Sequence, residues 1–313
     1  MHRRILFPSL FLLTLGSAFY SYDLRDTRAA SFAGGKTLVL YDAASGEIPD
    51  QSVMAFTAFP TGAASLTYAE DATVLDTTIS GLDTYAGWVA TQSTTPGFPI
   101  LDRTKGVQLN FTLWIERETH TNNNRAGFSV LVLDQDAQGL ELSFWENEIW
   151  VQSDDQTGGL FKHGEGVAFP TTIGLTNYQV TMDEATYALT ANSELLLTGP
   201  LRDYSKFDGF PDPYETPNFL FLGDDTTSAA SRVRLSMLSI TGTESSIATA
   251  TSTRTSISSP SPTASPAPLP SVTPIPTPTP TKKVFEPCPS SGFLALLIVT
   301  MFIKKIRQVK DPL

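Results

Sequence analysis

The chain of 313 residues contains one cysteine, Cys288, and three histidines. A single thiol cannot form an intramolecular disulfide, so burial of apolar side chains must stabilise the folded part. Lys and Arg number 21 against 32 Asp and Glu, which gives a formal net charge of −11. The central region has no cluster of cations, and this excludes a surface that neutralises nucleic-acid phosphates.

Helical periodicity is nearly absent between residues 31 and 243. Short apolar runs there alternate with polar residues and are separated by Gly, Asn, Asp and Pro. The segment VQLNFTLWIE, residues 107–116, alternates over its whole length, as a strand with one buried face does. Many short strands of this kind predict an all-β fold, a two-sheet antiparallel jelly-roll sandwich over residues 31–243.

Further patterns indicate the arrangement of the strands. GFSVLVLD is apolar on both faces, which is typical of a central strand, and RVRLSMLSIT predicts a closing strand. Turns are expected near Asp183 and Glu184 and at Asn192-Ser193. Residues 31–106 are assigned to outer strands of the same sandwich.

The first 18 residues have the pattern of a signal peptide. His2, Arg3 and Arg4 form a basic region, an apolar run follows, and Gly16 and Ala18 are the small residues before a cleavage site. The pattern predicts an exported protein that is cleaved after Ala18.

Residues 244–283 are rich in Pro, Ser and Thr, which predicts a disordered, extended linker. Residues 284–313 contain the apolar run Gly292–Ile303, followed by Lys304, Lys305 and Arg307. This order predicts a short transmembrane helix with a basic tail on the cytoplasmic side. The linker would hold the sandwich away from the membrane.

The carboxy-terminal segment with FEPCPSS, an apolar stretch and KKIR resembles the PEP-CTERM sorting signal, with Phe285 in place of the first proline of that motif. The resemblance implies an exosortase-type processing enzyme as a partner. A plain membrane anchor is the alternative. Both place the sandwich at the cell surface or outside the cell, anchored to the membrane at least before any processing.

Three segments carry a second resemblance. AGFSVLVLDQDAQGLELSFWENEIWV, YALTANSELLLTGPLRDY and PNFLFLGDDTTSAASRVRLSMLSI occur in an order that resembles a concanavalin A-like jelly roll in its laminin-G-like form. The resemblance covers roughly residues 107–241 and extends to uncharacterised bacterial surface proteins that carry a sorting signal. It implies the same sandwich that the strand patterns predict.

The segment GLELSFWENEIWVQ, residues 139–152, concentrates Glu and Trp. A turn at Glu146-Asn147 would make it a hairpin whose apolar face includes Leu140, Leu142, Ile149 and Val151. The other face would carry the candidate ligand-binding residues Glu141, Trp145, Glu148 and Trp150, which Trp114 could join. Aromatic rings beside carboxylates suit carbohydrate, but simple packing under a loop is the alternative.

The same hairpin also carries candidate catalytic carboxylates. ELSFWE matches the spacing of the Glu-x-Asp-x-x-Glu motif of laminarinase-type glycoside hydrolases, but Ser143 replaces the aspartate. The turn places Glu146 at the tip of the hairpin. A hydrolase or lyase would therefore have to use Glu141 and Glu148, which share a face.

Two acidic loops are candidates for calcium. DQDAQG contributes Asp134 and Asp136, and GDD contributes Asp224 and Asp225. Capping of turns is the alternative use of such residues. No other cofactor is predicted, and His2, His120 and His163 form no recognisable metal or catalytic triad.

These features together predict an exported, surface-anchored, non-catalytic sandwich module that binds extracellular carbohydrate. Two alternatives stay open at this point. One is a polysaccharide hydrolase or lyase on the same fold, and the other is a purely structural envelope or matrix component.

Overall fold

The computed structural model describes residues 35–80, 84–209 and 212–244. Regular structure in these ranges is almost entirely extended, with short 3-10 turns at Ala43–Ser45, Thr78–Ser80 and Arg103–Lys105. No helix within these ranges is long and apolar enough to cross a membrane. The predicted signal peptide, the predicted anchor and the linker beyond Glu244 lie outside the described residues.

Eight strands of the described chain form a first sheet, sheet A: β1 (Gly35–Asp42), β3 (Ser65–Ala69), β4 (Ala72–Asp76), β6 (Val107–His120), β11 (Thr176–Asp183), β12 (Thr186–Ala191), β13 (Glu194–Pro200) and β15 (Ala229–Thr243). Their order is β13-β12-β11-β6-β15-β4-β3. Strand β1 pairs with the second half of β15, beyond the segment that pairs with β4. All these pairs are antiparallel.

Seven further strands form sheet B: β2 (Ala55–Phe59), β5 (Tyr85–Thr91), β7 (Ser129–Leu133), β8 (Gly139–Phe144), β9 (Glu148–Gln152), β10 (His163–Ala168) and β14 (Phe219–Asp224). Their order is β10-β9-β8-β7-β14-β5-β2, and again every pair is antiparallel. Within the described chain the all-β, two-sheet antiparallel prediction is confirmed. Residues 35–91 supply strands to both sheets.

The inner faces of the two sheets form one hydrophobic core. Strand β6 contributes alternate residues such as Leu109 and Phe111, while β8 contributes Leu142 and Phe144. The rings of Phe111 and Phe144 meet edge to face at 6.1 Å, and Tyr178 of β11 packs against both. Each large apolar side chain buried in this way contributes about 1.5–3 kcal/mol relative to exposure. The two sheets therefore form a sandwich.

The local predictions along the chain are confirmed where the described residues test them. Strand β7, from the GFSVLVLD segment, is buried at every position and lies in the middle of sheet B. The turn at Asn192-Ser193 joins β12 to β13, with both residues at positive φ as a two-residue type I′ hairpin requires. The turn near Glu184 joins β11 to β12.

The outward side of sheet A carries no charged residue over a wide area. On β1, β15, β6, β11 and β12, the positions that alternate with core residues form what we call the open face: Thr37, Val39, Gln108, Asn110, Thr112, Asn177, Gln179, Thr181, Ala188, Thr190, Met237, Ser239 and Thr241. Asp183 borders it at one end, and the ion pair of Glu116 with Arg234 borders it at the other.

Candidate functional site

The hairpin of β8 and β9 forms as predicted. Ser143 pairs with Trp150 and Phe144 pairs with Ile149, so the turn occupies residues 145–147. The apolar side of the hairpin belongs to the core. Its other side, which we call the hairpin face, points away from the core and consists of Glu141, Ser143, Trp145, Glu148, Trp150 and Gln152.

Two tryptophan–histidine stacks meet on the hairpin face. Trp145 stacks on His120 and Trp150 stacks on His163, each with ring centroids 4.2 Å apart. The two indoles contact each other edge to face at 5.5 Å. Trp150 is fully buried and Trp145 is half-buried. The four rings therefore form a single cluster whose outer part reaches the surface.

Each histidine of the cluster also contacts a carboxylate. His163 Nε2 lies 3.1 Å from Oε1 of Glu148, and His120 Nδ1 lies 3.0 Å from Oε2 of Glu118. Glu118 is buried, and burial raises the pKa of its carboxyl. Glu116 is the extra residue where β6 shifts register against β15, and this bulge turns Glu118 inward.

The loop of residues 121–125 lies over the hairpin face. Trp145 Nε1 donates to the carbonyl of Arg125 at 2.9 Å, and Gln152 Nε2 donates to the carbonyl of Asn124 at 3.1 Å. The side-chain oxygen of Asn124 accepts a hydrogen bond from the backbone N–H of His163 at 2.9 Å. These three bonds hold the loop in place.

Glu141 lies in a closed, mostly aromatic environment. Its side chain is buried, and the hydroxyl of Tyr214 donates to Oε2 at 2.7 Å. The hydroxyl of Tyr204 accepts from the Glu141 backbone N–H and donates to the carbonyl of Gln152. The pKa of Glu141 is raised to about 8, mainly by burial and also by the negative charge of Asp225, against the opposing effects of the Tyr214 hydrogen bond and of Arg125.

An aromatic cover extends from this point over the outer side of sheet B. Phe161, Tyr204, Phe207 and Tyr214, all from loops, contact one another with ring centroids 4.9–5.7 Å apart. With strand residues that include Leu131 they form a second hydrophobic cluster. The cover shields Glu141 from solvent and leaves the tryptophan–histidine cluster at its margin.

Three polar atoms beneath this covering layer have no protein hydrogen-bond partner among the described residues. They are Oγ of Ser143, Nε1 of Trp150 and Oε1 of Gln152, and each is fully buried. Ser143 and Trp150 are directly paired across the hairpin, and Gln152 is two residues further along β9. A buried polar atom without a partner costs about 1–3 kcal/mol. Oγ1 of Thr84, Nε1 of Trp88 and Nε of Arg202 are likewise buried without a partner in the described part of the chain, so such atoms are not confined to the hairpin face.

The structure does not bring all the predicted site residues together. Glu148 stands opposite residue 145 in the hairpin, four positions from Glu141, so the two Cα atoms are about 14 Å apart at the usual strand spacings. Carboxylate pairs in glycosidases are about 5–9.5 Å apart. Glu146 is exposed in the turn, where Oε1 accepts from the backbone N–H of Glu118.

Trp114 lies on the other sheet. It follows Leu113 of the core on β6, so its side chain lies on the outer side of sheet A. Its Nε1 donates to the carbonyl of Thr172 at 3.0 Å, and Arg234 lies over its ring. Trp114 therefore does not join Trp145 and Trp150.

The acidic loops proposed for calcium are engaged by the protein itself. Arg103 pairs with both Asp134 and Asp136, and Oδ1 of Asp134 accepts from the backbone N–H groups of Asp136 and Gln138. These bonds cap the turn. The described residues contain no group of three or more His, Cys, Asp or Glu that could hold a metal ion.

The second acidic loop is similarly engaged. Asp224 accepts from the hydroxyl of Thr77 at 2.7 Å and from the backbone N–H of Thr226 at 3.2 Å. Burial raises the pKa of its carboxyl well above the ordinary value. Asp225 interacts with Glu141. The calcium assignment for both loops stays a prediction.

Several residues of the site gave no signal in the sequence. His120 and His163 are 43 positions apart, and the tryptophans bring them together only through folding. Tyr204 and Tyr214 lie in a loop without periodicity. Gln152 could have been found, because strand parity places it on the same side as Trp150.

No protein-family model and no curated protein matches the chain. Among solved structures, a carbohydrate esterase from the Shiga toxin-encoding bacteriophage phi24B is 12% identical, with 67% of this chain and 100% of that chain covered and a TM-score of 0.42. The Ca²⁺- and mannose-bound exoplasmic domain of VIP36 is 10% identical, with 65% and 88% covered and a TM-score of 0.38. An alginate lyase of polysaccharide lyase family 7 is 11% identical, with 68% and 96% covered and a TM-score of 0.33. At these identities none of them identifies a function for this chain.

Proposed function

We propose that the chain is an exported, surface-anchored, non-catalytic module with a concanavalin A-like sandwich, and that its hairpin face binds extracellular carbohydrate. The observation that carries the proposal is the half-buried Trp145 beside the partly exposed Glu148 and His163, where the tryptophan–histidine cluster reaches the surface. An accessible indole ring next to hydrogen-bonding side chains is the arrangement on which a sugar can stack.

The exposed margin of the face has the composition that carbohydrate binding needs. Trp145 offers an aromatic ring for the apolar side of a sugar, and Glu148 and His163 offer an acceptor and an imidazole beside it. Gly166 faces Glu148 and Trp150 so closely that a Cβ would lie 2.4 Å from Oε1 of Glu148. A side chain at position 166 of β10 would therefore displace the carboxylate of Glu148.

Binding is favoured over two-carboxylate hydrolysis or elimination at this face. The carboxyl of Glu141 lies under Tyr214, and its Cα is about 14 Å from that of Glu148 at strand spacings. The Glu141 carboxyl is enclosed beneath the aromatic cover, so it is not available to a glycosidic bond held at Glu148 on the surface. The partly exposed Glu148 is suited to accept hydrogen bonds from sugar hydroxyls.

Export and anchoring complete the proposal and are supported by the sequence. Residues 1–18 would direct export, residues 244–283 would form the stalk, and residues 284–313 would anchor the protein or serve as the exosortase-type signal. Mass spectrometry of the mature protein tests this part. Loss of residues 1–18 is expected in both cases, and an intact or shortened carboxy terminus distinguishes the anchor from the processed signal. A full-length cytoplasmic protein would contradict export.

The binding part is tested with a matched pair of tryptophans. Trp145 and Trp114 are both half-buried, and each donates its indole N–H to one backbone carbonyl. On a glycan array, Trp145→Ala should weaken binding at least about tenfold, which corresponds to the 1–3 kcal/mol of a stacked aromatic contact. Trp114→Ala, on the opposite sheet, should retain it.

The same experiment identifies the competing outcomes. If the unmodified protein binds no glycan, the structural-component alternative gains support. If both variants lose binding equally, a general loss of folding is the explanation, which near-ultraviolet circular dichroism would reveal. Retained binding by a folded Trp145→Ala variant would contradict the assignment of the hairpin face.

A further inference from the structure

The open face of sheet A is organised as rows across the strands. One row runs through Ala188, Thr181, Gln108, Thr241 and Thr37 on five neighbouring strands. At about 4.8 Å between strands, the row is about 19 Å wide. A second row through Gln179 and Asn110 lies beside it, two residues further along each strand. The face is therefore a regular array of amide and hydroxyl groups.

Hydrogen bonds within the array fix the orientation of its amides. Oδ1 of Asn110 accepts from Gln108 Nε2 at 3.0 Å and from Gln179 Nε2 at 2.9 Å. Thr112 donates to Oδ1 of Asn177 at 2.7 Å. In the described structure, Nδ2 of Asn110 and Oε1 of Gln108 and Gln179 make no protein hydrogen bond. Oriented donors and acceptors therefore remain for an external partner.

The absence of charged side chains on the open face restricts the class of ligand that it can bind. The chain has a net charge of −11, yet the open face contains no ionisable side chain. Anionic polymers would be repelled by the chain and would find no cation here. The centres of protein interfaces are usually apolar or aromatic, whereas most residues of this array carry amides or hydroxyls and only Val39, Met237 and Ala188 are apolar. A neutral polymer that both donates and accepts hydrogen bonds at regular intervals fits best.

We propose that the open face is a second binding surface and that its ligand is a neutral, hydroxyl-rich polysaccharide that lies across the strands of sheet A. Each sugar hydroxyl can donate and accept, so it can pair with the amide and hydroxyl groups of successive rows. This surface is on the opposite sheet from the hairpin face and does not depend on it.

The proposal is tested by mixing the full chain with microcrystalline cellulose or with curdlan, two uncharged polymers. The fraction of protein that each polymer removes from solution is measured. Thr181→Arg places a long cation in the middle of the first row, where Thr181 neighbours Gln108 and Ala188. The affinity for at least one of the two polymers should fall at least about tenfold. The matched control is Thr67→Arg, because Thr67 is exposed on β3 of the same sheet. This variant should change the affinity for the polymer less than about twofold.

A second variant removes the amides without adding bulk. Asn110→Ala combined with Gln179→Ala should lower the same affinity, whereas Thr67→Ala, at an exposed position of β3, should change it less than about twofold. Binding to neither polymer, or equal binding by Thr181→Arg and the unmodified chain, would overturn the proposal. So would self-association, measured by analytical ultracentrifugation, that Thr181→Arg abolishes. Loss of glycan-array binding alone would refute only the hairpin face.

Discussion

The outer sides of the two sheets differ in what covers them. On sheet B, loops place Phe161, Tyr204 and Tyr214 over strand residues, so Glu141 and Trp150 are buried although they point away from the core. On sheet A, the outward amides of the open face form hydrogen bonds with one another and stay partly exposed, while the hydroxyl residues Ser239 and Thr241 are buried. The same alternation along a strand therefore produces a closed, ionisable surface on one sheet and an accessible, uncharged surface on the other.

The largest change in the free energy of unfolding is expected for substitutions in the aromatic cover. Tyr204 is fully buried and joins Gln152 to the cover through its hydroxyl. Tyr204→Ala should lower the free energy of unfolding by about 3–5 kcal/mol, because it leaves a cavity and breaks these contacts. Tyr204→Phe should cost about 1–2 kcal/mol, since it removes only hydrogen bonds. Urea unfolding followed by tryptophan fluorescence measures both.

The open face supplies the control for this measurement. Thr190→Ala, at a half-buried position on β12, should change the free energy of unfolding by less than about 0.5 kcal/mol. Similar small losses for Tyr204→Ala and Thr190→Ala would mean that the cover is not packed as described. The contrast between the two sheets would then be wrong.

The fold was predictable because its signals are local. The alternation of apolar and polar residues over 107–116 predicts β6. The cost of burying Glu146 and Glu148 predicts the turn that follows Trp145. Parity along a strand also indicates which side a residue takes. It does not indicate what covers that side. Tyr214 reaches Glu141 from 73 positions away, and no pattern around either residue announces the contact.

The pH dependence of stability provides a second way to test the covered face. The pKa of Glu141 is raised to about 8 in the folded protein, from an ordinary value of 4.5, mainly by burial. The folded state therefore binds a proton more tightly than the unfolded chain does. Stability should be fully present below about pH 4.5 and should fall as the pH rises to about 8, by on the order of 4 kcal/mol.

Glu141→Gln should remove most of this decline, because the amide cannot ionise and its oxygen can still accept from Tyr214. Glu148→Gln, on the exposed part of the same hairpin, leaves Glu141 and its contacts in place and should retain the decline. Chemical unfolding at a series of pH values from 4 to 9 measures the effect. A decline that persists unchanged in Glu141→Gln would assign it to other carboxyls, of which Asp224 is the first candidate because burial also raises its pKa.

The smallest expected change in the free energy of unfolding concerns the buried hydroxyl of Ser143 on the hairpin face. Oγ of Ser143 is buried without a protein partner. Ser143→Ala should therefore raise the free energy of unfolding by about 1 kcal/mol, since the cost of that hydroxyl disappears. Because Ser143 is fully buried, the same variant should leave glycan binding at the exposed margin of the hairpin face unchanged. Thr190→Ala, the open-face control, should change stability by less than about 0.5 kcal/mol and also leave that binding intact. A Ser143→Ala variant that is less stable than the unmodified chain would show that the hydroxyl has a partner in solution.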